Sequence, residues 1–242
     1  MIFNKYYVDI EVAYTGKKSL DRDNSAFRDW KDWKFDKWGL FGILCLEIDT
    51  ESKTKKELFC KQIEWPIVDK ILGNELSGIH DKSKSDMLVT WNGRSFDIPI
   101  IIENMRKNVE TKSDVLYNVF HKDRDLLDSV LYRKLGGVKG GLGGTCKRLG
   151  VQIDSAGKDV PVQLFNQACD YLAQNKDDQK TEEYKTARKI VYDRNEYDIR
   201  SLPLLEERLG LLYEGKKDED TFHKDWSQTD IKIYEAIKVS RR

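Results

Sequence analysis

Cysteine, histidine and proline are scarce in this sequence, which has 4 cysteines, 3 histidines and 4 prolines among 242 residues. The cysteines contain no C-x-x-C pair, and the histidines are isolated along the chain. Thiolate and imidazole groups at short, regular spacings are what a structural zinc site needs, and closely patterned cysteines are what a disulfide framework needs. The sequence therefore indicates neither a structural zinc site nor a disulfide framework.

Long apolar runs are also missing, since no stretch approaches the roughly 18 residues of a membrane-spanning helix. Residues 1–9 lack the basic segment followed by an apolar segment that marks a signal peptide. We therefore expect a cytoplasmic protein that makes no membrane contact.

Net charge is the third absence, because 42 basic and 42 acidic residues cancel. Without a strong overall field, contact with a polyanion must use a local patch. Hydrophobic residues make up 39% of the chain and support a packed core, while 35% of the residues are charged. The length suits one large domain or a domain with an appendage. With zinc and disulfide chemistry not indicated, carboxylates are the main candidates for reactive groups.

Hydropathy periodicity predicts early strands followed by helices. An antiparallel meander, a further strand with an Asn92-Gly93 turn, and later helices favour an α/β fold whose mixed sheet is flanked by helices. The predicted strands are 6–12, 40–48, 57–65 and 87–91, and the predicted helices are 66–76, 97–107, 125–135, 145–149, 182–209 and 230–239. We predict a glycine-rich flexible connector at 136–144, a main domain at 1–212, and a charged linker with a C-terminal helical appendage at 213–242.

Asp9 and Glu11 are two residues apart on the first predicted strand, so their side chains leave the same face roughly 6–7 Å apart. Paired hard oxygen ligands suit Mg²⁺ or Mn²⁺, and two-metal phosphoryl chemistry places its ions about 3.5–4 Å apart. A solvated strand face would show the same alternation. The pair alone leaves both interpretations open.

Two later acidic residues have similar alternatives. Residues 88–99 form a strand, a turn and a helix start that presents Asp97 at the edge of the sheet, where Ser95 or Asp97 could equally be a helix N-cap. On the late helix, Asp198 and Arg194 lie within the apolar stripe, and a charge there needs a partner. Either the two residues form an ion pair one turn apart, or Asp198 faces a metal ion.

Together these segments resemble the DEDD superfamily of 3′-5′ exonucleases, which have a ribonuclease H-like fold. The likeness is strongest to predicted exonucleases related to the proofreading domains of family B DNA polymerases, and it spans about residues 6–209. Asp9 and Glu11 match the first motif, the segment from Asn92 to Asp97 matches the second, and Asp198 matches the third. The resemblance implies a two-metal site for Mg²⁺ or Mn²⁺ on Asp9, Glu11, Asp97 and Asp198, with Asn92 and Phe96 as substrate-binding residues.

One departure concerns the attacking water. Members of the family usually carry a Tyr four residues before the last Asp, or a His five residues before it, and here those positions are Arg194 and Asp193. Catalysis could then depend on the ions alone, use Tyr192 or Tyr197 from a shifted position, or be lost. We count Arg194 among the candidate catalytic residues.

Trp30 and Trp33 lie in a segment that mixes aromatic and basic residues directly after the first motif. Such a segment suits base stacking and phosphate contact, although the same residues could form the apolar side of a helix packed on the sheet. The sequence thus predicts a 3′-5′ exonuclease acting on single-stranded DNA or RNA ends. The alternative is a weak or inactive exonuclease fold that binds nucleic acid or a protein partner, with the C-terminal appendage as the surface for such a partner.

Overall fold

The computed structural model describes a central sheet and helical residues that pack against it. The described residues are 2–13, 38–65, 87–93, 97–98, 100–101, 123–126, 141–151 and 153–214. Trp30, Trp33 and Phe96 lie outside these residues, as do the predicted helix 66–76 and nearly all of the predicted appendage at 213–242.

Five strands form one mixed sheet in the order β3-β2-β1-β4-β5. The first three strands are antiparallel neighbours, as the meander predicts, while β4 runs parallel to both β1 and β5. This confirms the predicted α/β mixed sheet. The strands are β1 (Ile2–Val12), β2 (Gly39–Asp49), β3 (Thr54–Glu64), β4 (Met87–Thr90) and β5 (Asp123–Asp125).

The predicted helices 145–149 and 182–209 are both present, the first as part of a longer helix, whereas the predicted glycine-rich connector is wrong in part and one further helix was not predicted. They are α1 (Gly141–Arg148), α2 (Val162–Gln174), a short 3₁₀ turn at Lys176–Asp178, and α3 (Glu182–Glu214). Residues 141–144 belong to α1 and not to a flexible connector, and α2 was not predicted at all. The predicted helix at 182–209 is present as α3, which continues through Pro203 to Glu214.

Alternation along β1 separates two cores. Tyr6, Val8, Ile10 and Val12 pack on one face with the helical residues Ile98, Ile100 and Ile101. Tyr7 packs on the other face with residues of α1 and α3, including Ile199 and Leu202. Because side chains alternate in a strand, Asp9 and Glu11 lie on the face of Tyr7 and therefore beneath α3.

No helix in the part of the chain that the structure describes is both long and apolar enough to cross a membrane.

Candidate metal centre

Three carboxylates converge between β1 and α3. Asp9 and Glu11 come from adjacent same-face positions of β1, and Asp198 comes from the buried stripe of α3. One oxygen from each side chain lies within 4.8 Å of the others. We call Asp9, Glu11 and Asp198 the carboxylate cluster. The α3 stripe brings Asp198 to β1 because the apolar residues around it must cover this face of the sheet.

Asp198 forms the predicted ion pair through one oxygen, while its other oxygen is left without a hydrogen-bond donor among the described residues. Its Oδ2 accepts a hydrogen bond from Arg194 Nε at 2.8 Å, as an ion pair one turn apart would. Its Oδ1 is buried and has no hydrogen-bond partner among the described residues. A buried carboxylate oxygen without a donor is costly, so this atom is suited to a cation.

Burial and mutual repulsion disfavour charge on the cluster. Burial is the main reason why the pKa of Asp9 is raised well above its ordinary value, and the charge of Glu11 raises it further. The pKa of Glu11 is also raised, first by burial and then by Asp198. For Asp198, burial raises the pKa even though Arg194 acts in the opposite direction. A bound cation would relieve all three penalties.

Asp97 lies beside the cluster and contacts β1 directly. Its Oδ1 accepts a hydrogen bond from the Ile10 amide at 3.1 Å, and its charge contributes to the raised pKa of Asp9. β4 ends at Thr90, so this carboxylate takes the place of a neighbouring strand at that amide. Asp97 is not one of the three carboxylates whose oxygens converge within 4.8 Å.

A tight turn delivers Asp97 to this position. Asn92 has a φ of 60°, in the left-handed region that asparagine tolerates. A Cβ on Gly93 would lie 2.0 Å from Thr90 Oγ1, so only glycine fits there. The predicted Asn92-Gly93 turn is therefore present, and the helical residues that begin at Asp97 follow it.

The residues considered as orienting groups for water have other partners. Asp193 forms a salt bridge of 2.5 Å with Lys189. The Tyr192 hydroxyl donates to Glu64 and accepts from Arg188, and Tyr197 is buried with its ring near Arg194. Burial raises the pKa of both tyrosines, which opposes a role as a base.

Sequence reasoning missed Asn195, which is fully buried and donates hydrogen bonds to Asp9. The signal was available, because Asn195 lies four residues after Val191 and three before Asp198 on the same stripe. It also missed that α1 approaches α3 closely: a Cβ on Gly143 would lie 3.3 Å from Arg194 Nη2. Gly143 thus leaves room for the Arg194 guanidinium.

The cluster fits a hard divalent cation. All of its donors are carboxylate oxygens, as Mg²⁺ and Mn²⁺ prefer, and Asp198 Oδ1 lacks a hydrogen-bond donor in the described part of the chain.

Comparison with known proteins identifies one family whose model matches this chain. The family model described as RNase H superfamily matches residues 38–210, which is more than half of the chain. No curated protein and no solved structure gives a match. The matched range contains Asp97 and Asp198 but starts after β1, so the grouping of Asp9 and Glu11 with Asp198 depends on the geometry described above.

Proposed function

Because this chain belongs to the RNase H superfamily, which suggests a nuclease that uses divalent metal ions, we propose that it is a 3′-5′ exonuclease acting on single-stranded nucleic-acid ends. One observation carries the proposal most directly: three carboxylates converge under α3, and one of their buried oxygens has no hydrogen-bond donor among the described residues. A cluster with only a structural role would be expected to satisfy that atom.

We assign Asp9, Glu11 and Asp198 to hold the ions, with Asp97 completing the site from the neighbouring turn. Two bound Mg²⁺ or Mn²⁺ ions would supply Lewis-acid stabilisation and an activated water for phosphodiester hydrolysis. Asp97 also fixes β1 through its bond to the Ile10 amide. Its position therefore links the geometry of the turn to that of Asp9.

Arg194 is assigned to the scissile phosphate. The Arg194–Asp198 bond uses Nε, whereas a guanidinium carries five N–H donors. The terminal nitrogens can therefore donate to phosphate oxygens and stabilise the charge that develops on them. In this role Arg194 does not act as a general base. A guanidinium stays protonated, so it cannot take a proton from the attacking water.

Substrate contacts are assigned to Asn92 and Phe96 in the second motif, and to Trp30 and Trp33 after the first. Asn92 is half-buried in the turn that precedes Asp97, which is consistent with a contact near the cleaved bond. Aromatic side chains stack on bases without strong sequence preference, so Phe96, Trp30 and Trp33 suit a single-stranded substrate.

The second candidate function, a weak or inactive module that binds nucleic acid or a protein partner, is favoured by the same Arg194–Asp198 ion pair. That pair engages one oxygen of a proposed ligand, and Arg194 stands where the DEDD exonucleases that the chain resembles usually have an orienting Tyr.

The test is incubation with 3′-labelled and 5′-labelled single-stranded DNA and RNA, in Mg²⁺, Mn²⁺ or EDTA. An exonuclease of the proposed direction releases the 3′ label at once and shortens the 5′-labelled strand step by step. Closed circular single strands should stay intact, whereas an endonuclease would cut them.

Asp9→Asn is the active-site variant for this assay, and Glu207→Gln on the exposed side of α3 is its matched control. We expect the first to be inactive and the second to behave as the wild type. Binding of strands without cleavage in any metal would favour the inactive module. Loss of activity in both variants would contradict the assignment of the site.

A further inference from the structure

Asn195 contacts the Asp9 carboxylate of β1 from the facing helix α3. It lies on α3, is fully buried, and its Nδ2 is 3.2 Å from Asp9 Oδ2 and 3.4 Å from the Asp9 backbone oxygen. An amide nitrogen carries two hydrogens, so both can be directed at Asp9. Asp9 is thereby held at its side chain and at its backbone by one group.

The sheet provides a gap for this contact. Asp9, Gly42 and Gln62 are register partners on β1, β2 and β3, so they form one row on one face of the sheet. A Cβ on Gly42 would lie 2.1 Å from Asn195 Oδ1. The missing side chain in the middle of the row is what allows Asn195 to reach across from α3.

Gln62 determines which way the Asn195 amide faces. Its Nε2 donates to the Tyr192 backbone oxygen at 2.8 Å, and that oxygen can only accept. The Gln62 amide must therefore turn its nitrogen, and not its oxygen, towards α3. The second hydrogen of Nε2 is then donated to Asn195 Oδ1 at 3.1 Å. With its oxygen turned towards Gln62, Asn195 must turn its nitrogen towards Asp9.

We infer that Asn195 is a positioning residue for the metal site, and that Gln62 is the residue that orients it. Asn195 binds Oδ2 of Asp9 and so directs the other carboxylate oxygen to a cation. This inference depends on the proposed metal site and adds the residues that preorganise it. Partners behind a metal ligand typically change metal affinity by roughly 10- to 100-fold when they are lost.

The test measures Mn²⁺ affinity of the full chain by calorimetry, well below the melting temperature. Asn195→Leu keeps the approximate volume but removes the donor, and Gln62 keeps Tyr192 as its acceptor. We expect Mn²⁺ binding to weaken roughly tenfold or more. Ser201→Ala is the control, since Ser201 is equally buried on α3 but donates to the Tyr197 backbone oxygen, and its Mn²⁺ affinity should match the wild type.

A second variant tests the orienting role and does not depend on the folding of the first. Gln62→Met should weaken Mn²⁺ binding by a smaller factor, roughly threefold. In the Asn195→Leu background it should add nothing, because the amide that Gln62 orients is gone. Melting in EDTA separates stability from metal affinity.

The outcomes separate the two proposals. A wild-type protein that binds no Mn²⁺ overturns the metal site itself. A wild-type protein that binds Mn²⁺, together with an Asn195→Leu protein that binds it equally well, overturns only the role of Asn195. If Asn195→Leu fails to fold, unchanged Mn²⁺ affinity in Gln62→Met overturns the inference and a weakened affinity supports it.

Discussion

Two polar clusters lie between β1 and α3 on the same face of the sheet, and they differ in how their charges are balanced. In the first, Glu206 accepts from Lys5 at one oxygen, at 2.8 Å, and from the Tyr7 hydroxyl at the other, at 2.7 Å. In the carboxylate cluster, two positions further along β1, Arg194 donates to Asp198 and Asn195 donates to Asp9.

The difference is between a buried charge whose oxygens all have donors and a group of buried charges that lacks one. A single carboxylate with a donor on each oxygen is compensated, so the Glu206 cluster joins strand to helix without needing a ligand. Three carboxylates with raised pKa values and a bare oxygen are not compensated by the described protein groups. We therefore expect a cation to stabilise the second arrangement and not the first.

Neutralising Asp9 should have the largest effect. Asp9→Asn removes a proposed ligand while keeping its size, so nuclease activity should fall by roughly 10³-fold or more, because metal ions contribute several kcal/mol to such reactions. The fold should remain intact, as circular dichroism would show. Activity within a few-fold of the wild type would contradict the assignment of Asp9 as a ligand.

The second prediction concerns pH and metal. A carboxyl whose pKa is raised in the fold binds more protons when folded, so the metal-free protein should lose stability as pH rises from the ordinary carboxyl pKa through the raised values. Asp9→Asn should reduce that loss. At neutral pH, Mn²⁺ at about 100 times its Kd should restore about 2.7 kcal/mol to the wild type.

Thermal melts between pH 4 and pH 8 in EDTA measure the loss of stability with rising pH. The same melts in Mn²⁺ measure how much stability the ion restores. Glu207→Gln provides the comparison, since its exposed carboxylate lies outside the cluster. If Mn²⁺ stabilises Asp9→Asn as much as the wild type, the ion binds elsewhere.

The third prediction tests the Glu206 cluster, in which each carboxylate oxygen has a donor. Glu206→Gln should lower the free energy of unfolding by about 1–3 kcal/mol, because the Lys5 and Tyr7 donors lose a charged acceptor. Mn²⁺ affinity should not change, since the substitution leaves the carboxylate cluster alone. Chemical denaturation beside calorimetry measures both quantities. A large loss of Mn²⁺ affinity would show that the two clusters are coupled through β1.

Much of this arrangement could be predicted from the sequence, because it depends on periodic patterns. Alternation in β1 places Asp9 and Glu11 on one face, and the helical stripe of α3 includes Asp198. The asparagine and glycine that follow β4 predict the turn that precedes Asp97. Each of these signals is local in the chain.

The features that were missed depend on small or distant residues. α2 buries Ala168, Cys169, Leu172 and Ala173, and three of these four side chains are small. The glycines of α1 are typical of a loop, yet they are helical here, and Gly143 allows close packing against α3 near Arg194. Gln62 and Asn195 are separated by 133 positions, and no local pattern predicts that they meet.

The smallest expected effect concerns Arg194, the basic residue that contacts the carboxylate cluster through Asp198. An ion pair between residues one turn apart on a helix contributes about 0.5 kcal/mol, which corresponds to a factor of about two in affinity. Since Arg194 binds Asp198 Oδ2, Arg194→Ala should tighten Mn²⁺ binding by about that factor, which calorimetry can resolve. If Arg194 also stabilises charge on the phosphate, turnover should fall at saturating metal.

Arg194→Tyr extends this measurement because it places a phenol at the position where the DEDD exonucleases that this chain resembles usually have a tyrosine. A gain in turnover would show that the wild-type chain lacks an orienting group for water, and Arg194 would then be a residue that slows the reaction. A fall in turnover, with Mn²⁺ binding tightened as in Arg194→Ala, would support a direct contact between the guanidinium and the phosphate. Absence of cleavage in both Arg194→Tyr and the wild type, on every labelled strand, would favour a module that binds nucleic acid and uses the cation only to stabilise its fold.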